Sequence, residues 1–144
     1  METLKRPVKT EYSASSGSGV AGLTAACVNE LMNARTSFHK LHLKIKGPSS
    51  YAGHKALNEL YDALPEHADN LTEGYQGAAE MLLEIPDSTP KKLSTVEEGL
   101  SYIRDLVAMV TTLQGKMPYS EIVNELDTVK STLNSAKYKL IFLK

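Results

Sequence analysis

Apolar residues recur every third or fourth position along four stretches of this chain, a period that a helix gathers onto one side. The first stretch carries Leu23, Cys27, Leu31, Ala34, Phe38, Leu41 and Ile45. Gly47-Pro48-Ser49-Ser50 stops it, because proline cannot continue the ladder and disfavours helix in the residue before it. The second carries Leu57, Leu60, Leu64, Ala68, Leu71, Tyr75, Ala78 and Leu82, and ends before the turn signal Ile85-Pro86-Asp87-Ser88-Thr89-Pro90. Ser94 with Glu97 three residues later fits a capping box that opens a third helix. Val96, Leu100, Ile103, Val107, Val110 and Leu113 form its stripe, and Gly115 suits its end. Beyond Pro118, Ile122, Leu126, Val129, Leu133 and Leu140 mark a fourth. Four amphipathic helices, short connections and no strand pattern predict an all-α protein, an antiparallel four-helix bundle.

At 144 residues with a hydrophobic fraction of 42%, the chain is expected to form one core. That core is assigned to residues 19–144. Residues 1–18 form a polar tail ending Ser13-Ala14-Ser15-Ser16-Gly17-Ser18, too poor in apolar surface to offset its ordering entropy, and flexibility is predicted there. No apolar run approaches the roughly 20 residues that cross a bilayer, so no membrane partner is expected. The opening Met1-Glu2-Thr3-Leu4-Lys5-Arg6 has no apolar stretch behind it, so no secretory signal is expected either. The single cysteine, Cys27, excludes an internal disulfide framework and suits a reducing compartment, giving an expected cytoplasmic location. A net charge of −1 supplies no global attraction to nucleic acid.

Chemistry concentrates in a few residues. His42 lies near the end of the first helix and His54 near the start of the second, so the turn between them lets both reach one end of the bundle. Asp69 and Glu73 follow at i and i+4 on the second helix, neighbours on one face. Two imidazoles and two carboxylates make a mixed nitrogen and oxygen set suited to iron or manganese. His54 and Asp69 are fifteen positions apart on one helix, roughly 22 Å at 1.5 Å per residue, so one chain cannot wrap all four around one ion. Two copies packed antiparallel about a two-fold axis could, and the symmetry would create two such sites. His39, one turn before His42, is an auxiliary candidate; His67, two residues before Asp69, is expected to be solvated. Tyr61 and Tyr75 are read as core or interface rings rather than redox relays.

The run Phe38-His39-Lys40-Leu41-His42-Leu43-Lys44-Ile45-Lys46-Gly47-Pro48, with His54, Asp69 and Glu73 at their spacings, resembles the ferroxidase segment of the Dps family, the DNA-binding proteins from starved cells. The resemblance covers the first two helices; the last two match only as bundle helices. It implies a ferritin-like fold and an iron-binding ferroxidase with His42, His54, Asp69 and Glu73 as both metal ligands and catalytic residues. It also implies Fe2+/Fe3+ as the bound metal, storage of the ferric mineral, and hydrogen peroxide or oxygen as the oxidant. A homo-oligomer, a dodecamer built from two-fold dimers, is implied as well. The sequence departs from that family in having Leu43 after the first histidine where the family carries Trp, and Gly74 where a basic residue is common. Pro65 removes the bond to the Tyr61 carbonyl and favours a kink ahead of Asp69. The family's short cross-over helix is also not evident, since Pro86 to Lys92 reads as a loop.

Two other functions fit the same chain. Residues 1–18 hold Lys5, Arg6 and Lys9 against Glu2 and Glu11, a weak basic bias that an oligomer would multiply into non-specific DNA binding. A structural or assembly protein with a vestigial metal site is the other, favoured by Pro65 and the lack of Trp.

Overall fold

The computed structural model describes residues 19–144, so the expectation for the 1–18 tail lies outside the described residues. Those residues form four helices and no strand: α1 (Val20–His42), α2 (Ser50–Ala79), α3 (Val96–Lys116) and α4 (Ser120–Phe142). α1 packs on α2 and α3, and α4 packs on the same two, so each helix lies against two neighbours around a shared core. The apolar stripes point inward as their spacing requires. Cys27, Leu31, Phe38, Leu41, Leu57, Leu64, Leu71, Ile103, Leu126 and Leu133 are all buried.

Contacts at the glycines fix the helix directions. A methyl group at Gly53, near the start of α2, would sit 3.8 Å from Val96 at the start of α3 and 4.0 Å from Leu140 near the end of α4. At Gly99, early in α3, it would meet Leu41 near the end of α1, and at Gly74, late in α2, it would meet Ile122 at the start of α4. The ends of α1 and α4 therefore share one end of the bundle with the starts of α2 and α3, and packed neighbours run antiparallel.

Residues 80–95, which connect α2 to α3, must consequently travel the length of the bundle, so this connection is longer than the short ones expected. It is a tethered extended segment with no helix in it. Asn29 and Asn33 of α1 each donate to Ser88 Oγ, at 2.9 and 2.8 Å. Ser37 Oγ donates to the Lys91 carbonyl at 2.6 Å, Lys44 Nζ donates to the Leu93 carbonyl at 2.8 Å, and Leu93 itself is buried. These bonds hold the segment along α1.

Several boundaries differ from the sequence expectation. α1 ends at His42, and Ile45 reaches the core through a turn in which Lys44 and Ile45 both donate to the Leu41 carbonyl. α2 ends at Ala79 with Glu80 in the left-handed region at φ 56, so Leu82 falls beyond the helix and is exposed. Gln76 caps this end, accepting from Met81 N on its carbonyl and from Leu83 N on its side chain. The cap of α3 is shifted by one residue. Thr95 Oγ1 accepts from Glu98 N while Glu98 accepts from Ser94 N. α3 also runs through Gly115 to Lys116. Pro65 lies inside α2, which continues on both sides of it.

A candidate metal centre

α1 and α2 meet at the bundle end where the Gly47-Pro48 turn joins them, and that turn brings His42 against His54. Their rings stack with centroids 3.9 Å apart and 19° between planes. Each anchors on the other's backbone: His42 Nδ1 lies 3.3 Å from the His54 carbonyl, and His54 Nδ1 lies 2.9 Å from the His42 carbonyl. A carbonyl only accepts, so both rings carry their proton on Nδ1 for these bonds to form. Both Nε2 lone pairs are then left for another partner. That tautomer, pinned by a backbone carbonyl, is the one in which a metal-binding imidazole presents Nε2.

A shell of residues the sequence reading did not assemble surrounds this pair. Tyr61 is buried with its hydroxyl 3.2 Å from His42 Nε2, and it donates to Asn58 Oδ1 at 2.9 Å. Asn58 Nδ2 donates in turn to Asp62 Oδ2 at 3.0 Å. One hydroxyl proton cannot serve both acceptors. When it points to Asn58, Nε2 of His42 is released at the cost of a single, replaceable hydrogen bond. His39 stacks on Tyr61, with centroids 4.2 Å apart and 16° between planes, and its ring centroid lies 5.7 Å from that of His42. Its ring packs on the phenol that holds His42. The signal for this shell was spacing: His54, Asn58 and Tyr61 recur at i, i+4 and i+7 on one face of α2.

Asp69 and Glu73 are exposed on α2, away from the histidines as the helical rise requires. Asp69 borders a surface groove with Met32, Arg35 and Pro65. Among the described residues, no three His, Cys, Asp or Glu side chains of one chain gather closely enough to hold a metal ion. The donor types fit iron, but the four residues can act together only across two chains.

His67 departs from its expected solvated position. It is buried where α2 packs on α4, with Nε2 2.8 Å from Thr132 Oγ1 and Nδ1 without a hydrogen-bond partner. Desolvation holds its pKa below the usual histidine value, opposed by the charges of Glu125 and Glu66. Cys27 is buried on α1, and desolvation with the nearby Glu30 charge pushes its thiol up to about 12.

The fold and site define a class: an all-helical bundle carrying a paired-histidine corner on its α1–α2 side. Residues 42–140 match the family described as a family of unknown function, DUF5856, and the chain belongs to that family. The matched stretch opens at His42 and includes His54, Asp69 and Glu73. No curated protein and no solved structure matches the chain.

Proposed function

We propose that the protein is a ferritin-like, Dps-like ferroxidase that binds Fe(II) between two copies of the chain, with His42 and His54 from one and Asp69 and Glu73 from the other. The observation that carries this reading is the reciprocal histidine lock, which prepares two Nε2 lone pairs at the position the family resemblance assigns to them. Three further features support it. The segment 80–95 gives the bundle one long cross-over connection, the connectivity of ferritin-like bundles. Asp69 and Glu73 stand exposed on the helix that bears His54. Met32, Leu43 and Tyr51, at 43%, 69% and 74% exposure on α1, the turn after it and α2, offer apolar surface to a second copy.

Iron is the substrate of this chemistry. Each of two Fe(II) ions gives up one electron, and one hydrogen peroxide accepts both. Its O–O bond breaks, and with two protons it leaves as two waters. The imidazoles hold the divalent ion, and the carboxylates favour the higher charge of Fe(III). An assembly of such dimers, a dodecamer in the Dps manner, would store the product.

Mixing inactive variants tests the shared site directly. His42→Ala/His54→Ala protein lacks one half of every site, and Asp69→Ala/Glu73→Ala protein lacks the other. Each alone should lose peroxide-driven Fe(II) oxidation. After subunit exchange, half of the dimers are mixed and each mixed dimer regains one intact site of two, so the rate returns to about a quarter of wild type. Variants that stay as active as wild type would remove the assignment, and rates equally slow in all three proteins would leave a structural bundle. Inactive variants that never complement, once subunit exchange is confirmed by mass labelling, would refute a site shared between two chains.

A further inference from the structure

At the bundle end formed by the starts of α2 and α3 and the end of α4, a cavity of about 450 Å³ opens to solvent. Its floor is apolar, made by Ile45, Val96 and Leu140. Its rim is cationic: Lys44, Lys46, Lys139 and Lys144 face it, against the single carboxylate of Glu97. Two of these lysines are held in place, Lys44 by its bond to the Leu93 carbonyl and Lys139 by its ion pair with Glu59. An ammonium has three donors, so both keep protons for a further acceptor. Among the described residues, the side chains of Lys46 and Lys144 make no hydrogen bond or ion pair. Hydroxyls of Ser49 and Ser94 also line the cavity.

We propose that this cavity binds a small phosphate monoester with an apolar or aromatic body. The lysine rim supplies the charge and donors a dianionic phosphate needs, and the apolar floor accepts the body attached to it. The volume accommodates a ligand of that size. The site is separate from the histidine pair and does not depend on the ferroxidase reading.

Calorimetric or NMR titration with phenyl phosphate, phenol and inorganic phosphate tests it on the full chain. Phenyl phosphate should bind more tightly than either of the others, and its affinity should fall as salt is raised. Lys46→Ala and Lys144→Ala, both surface changes, should each weaken it roughly fivefold while leaving phenol unaffected. Equal binding of phenyl phosphate and phenol, or affinity indifferent to both lysines, would overturn the proposal. Displacement of phenyl phosphate by a duplex oligonucleotide would reassign the rim to a nucleic-acid backbone and overturn the small-ligand assignment as well.

Discussion

Acidification should weaken this bundle through one residue, His67. Its ring is buried between α2 and α4, bonded through Nε2 to Thr132 and unpartnered at Nδ1. Protonation would place a charge in a site with no acceptor at Nδ1, and only the carboxylates of Glu66 on α2 and Glu125 on α4 oppose that cost. The folded pKa is therefore depressed, and the unfolded chain, titrating near 6.5, binds the proton first. Stability contributed by the neutral ring is complete above pH about 6.5 and falls as pH drops through the window down to the folded value. One proton limits the slope to at most about 1.4 kcal/mol per pH unit, which bounds the Tm loss at roughly 4–5 °C per pH unit for a chain of this size. His67→Leu removes the titration and the orphaned nitrogen together, and Thr132, only half-buried, can turn to water. Thermal unfolding at fixed protein concentration, followed by circular dichroism between pH 8 and pH 5, should show wild type falling away from the variant below pH about 6.5. The rest of the chain is identical in the two proteins and cancels in the difference. Parallel Tm curves for the two proteins across that range would refute the reasoning.

Two glycines of α3 should respond oppositely to alanine. At Gly115 nothing lies within 4 Å of the added methyl, so Gly115→Ala should gain about 0.5–1 kcal/mol from helix propensity, read as a higher denaturation midpoint. At Gly99 the methyl would lie 2.8 Å from Leu41 Cδ2 in a filled core, so Gly99→Ala should lose about 1 kcal/mol or more by overpacking, despite the same propensity gain. Cys27, fully buried with its thiol at about 12, should stay unreactive toward a thiol reagent at pH 8 until denaturant opens the bundle, giving a labelling rate that tracks unfolding.

Much of the fold was legible because burial in a bundle obeys a simple period. Each apolar residue read from the fourth helix, from Ile122 to Leu140, is buried. Ends were less legible, since they are fixed by single hydrogen bonds that compete with near-identical neighbours. Ser94 and Thr95 both offer a capping hydroxyl, with Glu97 and Glu98 each three residues on, and it is Thr95 that accepts from Glu98 N. The path of residues 80–95 was not legible at all. Asn29, Asn33, Ser37 and Lys44 are polar positions of α1 and of the turn after it that pattern reading assigns to solvent, yet they bind this segment. His67 was misplaced for a related reason: its spacing from Asp69 says it leaves that face, but not that α4 waits on the other side. At the candidate site, the meeting of His42 and His54 followed from a short turn. The phenol that contacts both His42 and His39 did not, because Tyr61 is equally good as a core residue.

The two halves of the proposed ligand set stand in different physical states, and that difference bears on how iron and association act on each other. His42 and His54 are already ordered by stacking and by their carbonyl bonds, so little entropy remains to be lost when a metal takes their Nε2 atoms. Asp69 and Glu73 are exposed and make no ion pair among the described residues, and bringing them against a second chain strips water from two negative charges. A cation bound between the chains offsets that cost, whereas an apolar contact through Met32, Leu43 and Tyr51 alone does not. Metal binding and dimer formation are then linked equilibria: whatever factor Fe(II) adds to association, association returns to the affinity for Fe(II). In this reading the carboxylates, by their cost when metal-free, make the interface selective for the loaded state, and the histidine lock supplies the fixed half on which that selection operates.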